Sequence, residues 1–155
     1  MRTSEDITAI ALRIEAGGRQ VLFILLAADG TVNRQGTGTA DNTESDLFIG
    51  KTKDPLFQSV RHLADAEVLD LTGRYVAQEI VGLHCVLTVC FLFADEESQE
   101  LVFEYGSKSL GPPPKFAALV EKLCLITEPW YKQQKKMVRN AQGAPTEKPW
   151  WRFWK

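Results

Sequence analysis

The sequence predicts an α+β fold, an antiparallel meander of about six strands with two amphipathic helices in the order βββαβββα. Three observations carry the prediction. Two apolar runs flank Gly17-Gly18, a pair that suits a tight hairpin turn. Apolar residues recur at helical spacing after Asp54-Pro55 and again after Gly111-Pro112-Pro113-Pro114. Between those stretches lies a second block of strand-like runs, richest in Leu83 to Phe93.

The elements follow in order. Ile7 to Ala16 and Arg19 to Ala28 form the first hairpin, with Ile14 expected opposite Val21, Leu12 opposite Phe23 and Ile10 opposite Leu25. The other face of that hairpin pairs Ala11 with Ile24 and Ala9 with Leu26. A half-exposed antiparallel sheet alternates apolar and polar residues, so two apolar faces imply a cover on each. Asp29-Gly30 turns the chain into a short third strand, Thr31 to Gly36, and Thr37 to Ser45 has the small polar composition of a surface loop. Asp54 is placed to cap a helix entered at Pro55, and Leu56, Phe57, Val60, Leu63 and Ala64 carry it to about Val68.

Arg74 to Val81, Leu83 to Phe93 and Gln99 to Tyr105 supply the second set of strands, with Phe93 expected opposite Leu101 and Phe91 opposite Phe103. Phe116, Leu119, Val120, Leu123 and Ile126 define a second helix, which Glu128-Pro129 is expected to end. This divides the chain into a single α+β domain, 1–131, and a tail, 132–155.

A length of 155 residues, 45% apolar and 25% charged with a net charge of −2, suits one globular domain and excludes disordered, collagen-like and coiled-coil classes. No apolar run is long enough to span a membrane, and Met1 to Asp6 lacks the pattern of a secretory signal, so the expected location is the cytoplasm. Three cysteines without a secretory signal suit reduced thiols. Cys85 and Cys90 are expected on opposite faces of one strand, unable to pair with each other. Spacings typical of a zinc site are missing, and neither a metal nor a cofactor is implied.

The net charge hides an asymmetry. Residues 1–131 hold eleven basic and nineteen acidic residues, whereas 132–155 hold seven basic and one acidic. The tail carries Trp150, Trp151, Arg152, Phe153 and Trp154 in succession. Such a cluster gains free energy only where its rings leave water, so the tail is expected to dock. Three destinations suit it: its own body or a neighbouring subunit, a separate partner protein, or an anionic membrane surface. The acidic body argues against nucleic acid.

Catalytic signatures are weak. Gly36-Thr37-Gly38-Thr39 has the glycines of a phosphate cradle without the Gly-Lys-Ser/Thr that completes one. The residues that a pocket at the concave sheet edge would gather are Arg34, His84, Tyr105 and Lys108. His84 shares a strand face with Val86, Thr88, Cys90 and Leu92. The sequence is therefore read as a non-catalytic protein-interaction module, self-associating, whose basic Trp-rich tail docks on a neighbouring acidic or apolar surface. The alternatives are a small-molecule-binding protein or enzyme using the concave sheet face, and tail-mediated association with a membrane surface.

Overall fold

In the computed structural model, which describes residues 2–143, Gly17 and Gly18 have φ of 60° and 79° and join β1 (Ile7–Ala16) to β2 (Arg19–Ala27). Left-handed φ at both turn positions matches the twist of the flanking strands. There follow β3 (Thr31–Gln35), β4 (Phe48–Lys51), α1 (Leu56–Arg61), α2 (Ala66–Leu69), β5 (Gly73–Val76), β6 (His84–Phe93), β7 (Ser98–Gly106) and α3 (Pro114–Gly143). The α+β class is as expected. The strands form one seven-stranded sheet in the order β4-β3-β2-β1-β6-β7-β5.

The sheet departs from the expected antiparallel six-stranded meander in two places. Phe48–Lys51 returns as an edge strand against β3, beyond the polar loop. The other edge strand, β5, runs parallel to β7 and does not pair with β6, its neighbour in sequence. The ten residues of β6 bury every second side chain and sit between β1 and β7, whereas all four of β5 are exposed. The longer apolar strand takes the centre because it has more surface to remove from water.

Register also differs. Ala16 pairs with Arg19 and Glu15 with Gln20, but Ile14 pairs with Leu22, so Val21 is an extra residue that shifts the ladder by one. A one-residue shift exchanges the faces of a strand. Leu22, Ile24 and Leu26 therefore join Ile10, Leu12 and Ile14 on the core face, and Phe23 and Leu25 turn to the other. In the β6–β7 hairpin Val89 pairs with Leu101 and Leu87 with Phe103, a slip of four from expectation that leaves the faces unchanged.

The expected helix from Asp54 to Val68 is broken in two. Asp54 does not cap it; the N-cap is Pro55, which makes no side-chain bond. Asp65 instead caps a new helix by accepting from Val68 N, and the Lys115 ammonium, 2.6 Å away, helps hold its carboxyl below the usual range.

The third helix does not stop at Pro129. It runs 30 residues from Pro114 to Gly143. Proline removes one helical hydrogen bond, to the carbonyl of Leu125, and Leu125 is 67% exposed, so water can take that acceptor. Tyr131, 1% exposed just beyond, packs edge-on to Phe48 of β4 and holds the helix across the interruption.

The helices lie on one face of the sheet. Phe57, Val60, Phe116, Leu119 and Leu123 bury against the core-face residues of the strands. Phe116 touches Phe103 of β7, and Trp130 reaches Gly50 of β4. Those fourteen residues advance about 21 Å along a helix, close to the roughly 24 Å that separates β7 from β4. The helix thus crosses the strands at a steep angle, and residues 132–143 project about 18 Å beyond the β4 edge.

Candidate interaction surfaces

One buried cluster fixes the direction of α3. Arg34 on β3 is 1% exposed. Its guanidinium donates to Gly36 O at 3.2 Å, Cys124 O at 2.9 Å and Thr127 Oγ1 at 3.0 Å, and it pairs with Glu128 at 3.1 Å. It also lies over the Tyr131 ring. The Tyr131 hydroxyl accepts from Gly36 N and donates to Glu44, which Lys135 also engages. Burial, aided by the Glu44 carboxylate, pushes Tyr131 up to about 12, while the Tyr131 and Lys135 donors hold Glu44 below its ordinary value. A buried guanidinium satisfied on several sides makes a positional clamp. It joins β3, the 37–46 loop and α3, and so aims the projecting helix.

The same loop uses up the glycine segment. Gly36 N goes to Tyr131, Thr37 N to Asn42 Oδ1 and Gly38 N to Val21 O. The amides that a phosphate would need are bonded within the chain.

The opposite sheet face carries no helix among the described residues. Strand pairing aligns its residues in rows. One runs Ile49, Asn33, Leu25, Ala11, Cys90, Glu100, and the next Lys51, Thr31, Ala27, Ala9, Leu92, Ser98. A third holds Phe23, Arg13, Thr88, Val102 and Arg74. Ile49 and Leu92 are exposed, and the side chains between them are mostly half-buried. Apolar side chains dominate the middle rows, with Arg13, Glu100 and Lys51 around them. Asn33 Oδ1 is buried without a hydrogen-bond partner between Leu25 and Ile49. Strand lengths and spacing give this face an area on the order of 800 Å².

A second surface lies at the β5 edge. A cavity of about 230 Å³ is lined by Leu71, Tyr75, Phe103, Tyr105, Pro112 and Pro113. Leu71 and Pro113 also line a neighbouring hollow of about 310 Å³ that extends to Phe116 and Lys115. Tyr75 stacks on Phe103 with centroids 5.4 Å apart, and Phe103 meets Phe116 at 5.0 Å, so the floor is aromatic. The proline segment forms a stiff wall. Glu104 lines the first hollow and Glu67 the second, where Lys115 pairs with Glu67 at 3.6 Å.

The structure does not gather the four pocket candidates. Arg34 is buried on the core face of β3, with β2 and β1 between it and β6. His84 lies on the opposite face and contacts Glu104 at 2.9 Å, while Arg74 takes the other carboxylate oxygen. Tyr105 lines the groove, where burial raises its phenol above the ordinary value. Lys108 is exposed in the loop after β7. Trp150, Trp151, Arg152, Phe153 and Trp154 lie outside the described residues. In the sequence the proline run only precedes a helix, and no local signal pairs that run with the β5 edge, so the groove is not legible there.

Burial raises the thiols of Cys85, Cys90 and Cys124. All three are free, with Cys85 on the core face and Cys90 on the open one. Among the described residues no group of three or more His, Cys, Asp or Glu is arranged to hold a metal, and no helix is long and apolar enough to cross a membrane. No protein-family model matches this chain, and no curated protein matches it.

Proposed function

We propose that this chain is a non-catalytic interaction module that self-associates through the helix-free face of its sheet. The observation that carries the reading is the row structure of that face, where Phe23, Leu25, Ala11, Cys90 and Leu92 form an apolar band with charges around it. An area on the order of 800 Å² is what one partner contributes to a standard protein interface. The occupant is a second copy. Sheets pack face to face about 10 Å apart, and this face has both signs of charge, Arg13 beside Glu15 on one strand and Glu100 two strands away. A two-fold arrangement can therefore set the cation of one copy against an acid of the other. The basic, Trp-rich segment supplies further anchors.

Sedimentation equilibrium over a range of protein concentrations tests the reading. The intact chain should form a dimer, and Leu25→Glu should shift the equilibrium to monomer while keeping the circular-dichroism spectrum. A chain that stays monomeric throughout, or a Leu25→Glu dimer of unchanged affinity, overturns it.

A further inference from the structure

We infer that the aromatic groove at the β5 edge receives an indole of residues 150–154 from a second copy of this chain. The inference rests on the self-association proposed above and names the contact that the Trp-rich segment makes within it.

Three observations lead there. The first is chemistry: the groove has an aromatic floor of Tyr75 and Phe103, a proline wall, and a volume of about 230 Å³ suited to one large flat ring. The second is charge. Residues 1–131 of each copy hold eleven basic against nineteen acidic residues, and residues 144–155 carry Lys148, Arg152 and Lys155 against the single acid Glu147. Attraction between unlike charges draws the segment to the body of a copy, and the aromatic floor sets where on it the indole is seated.

The third is reach, which decides between one chain and two. The groove lies at the first turn of α3, since Pro113, Pro114 and Phe116 line it, whereas the Trp-rich segment leaves from the far end, after Gly143. Those ends are about 44 Å apart along the helix. Trp150 and Trp151, seven and eight residues past Gly143, extend at most about 25 to 29 Å, and Trp154 about 40 Å at full stretch. Trp150 and Trp151 fall short of the groove in their own chain, and Trp154 would meet it only with backbone and side chain both at full stretch. In a face-to-face pair whose two-fold axis runs parallel to the strands, β4 of one copy lies over β5 of the other. The projecting helix then ends roughly 30 Å from its partner's groove, by the sheet spacing and helix rise. Trp151 comes within a side chain's length of that distance, and Trp154 covers it with slack. The exchange is reciprocal, so it closes as a dimer and does not propagate.

The test is a mixing experiment on the full chain. One variant lacks residues 149–155 and keeps the groove. The other, Tyr75→Arg, keeps the segment and places a cation in the groove, at a residue already 40% exposed. Each alone should dimerise at least tenfold more weakly than the intact chain. Mixed, they should form a heterodimer tighter than either homodimer, because one segment and one matching groove are restored. Adding Tyr75→Arg to the deleted chain should weaken it no further. Native mass spectrometry of the mixture resolves the three species, since the deletion changes the mass. The inference is overturned if Tyr75→Arg dimerises like the intact chain, or if the mixture shows no preferred heterodimer. Either result leaves the sheet-face dimer standing. An intact chain that is monomeric throughout overturns both.

Discussion

Arg34→Ala should be among the most damaging single substitutions in this protein, and comparing it with Arg34→Met separates two causes. The wild-type guanidinium serves two backbone carbonyls, one hydroxyl and one carboxylate, all from a side chain 2% exposed. Not all of those acceptors are stranded when it goes. Thr127 Oγ1 keeps its bond to Leu123 O, and Glu128 is 37% exposed and can turn to water. Gly36 O is left without the donor it has here, at about 1 to 3 kcal/mol for an unsatisfied buried group. Arg34→Ala adds a cavity between β3 and α3, and the two effects together cost about 3 to 5 kcal/mol. Arg34→Met fills the volume and should cost only about 1 to 3 kcal/mol. At roughly 2 to 4 °C per kcal/mol for a chain of this size, the alanine variant should melt about 6 to 20 °C lower. Urea melts followed by near-ultraviolet circular dichroism supply both differences. An Arg34→Ala variant within about 1 kcal/mol of wild type would refute the clamp.

Other outcomes follow from single sites. Gly36→Ala should fail to reach the wild-type fold or melt far lower, because φ is 86° and a β-carbon would stand 2.2 Å from Val21 O; a melt within a degree of wild type would contradict the packing there. The folded-state value of Glu44 is depressed, so its contribution to stability is present above the unfolded carboxylate value and fades as pH falls through the folded one. Acid melts of Glu44→Gln should show a shallower loss than wild type over that window. Tyr131 is raised from 10.0 to about 12, so its contribution is complete below 10.0 and disappears as pH climbs toward 12; ultraviolet titration should show a phenol ionising near 12 that Tyr131→Phe removes, while the raised Tyr105 phenol stays. Mass spectrometry under non-reducing conditions should find no link between Cys85 and Cys90, which occupy opposite faces of β6.

The legible parts of the fold were those set by local chemistry. Gly17-Gly18 makes a two-residue turn because two successive left-handed residues favour glycine, and the spacing of Phe116, Leu119 and Leu123 puts one stripe of α3 in the core. The hairpin register was not legible, because the bulge at Val21 leaves both alternating patterns apolar and sequence alone cannot say which residue is extra. The continuation through Pro129 depends on Tyr131 finding Phe48 and Glu44, contacts that arise only once β4 and the 37–46 loop are in place. From sequence, Arg34 is expected to line a pocket at the concave sheet edge, yet its partners lie at residues 124–128 of a helix that sequence places no nearer than any other. The apolar character of both hairpin faces pointed to a second covered surface. The bulge determines that Phe23 and Leu25 line it.

The central claim is that the sheet face bearing Phe23, Leu25 and Leu92 is buried between two copies. Hydroxyl-radical footprinting read by mass spectrometry, at protein concentrations below and above the association midpoint, tests it directly. Leu125, on the outer side of α3, serves as the internal reference. The account predicts that modification of Phe23, Leu25 and Leu92 falls severalfold on association while that of Leu125 is unchanged. Equal modification of the sheet face at both concentrations would contradict it.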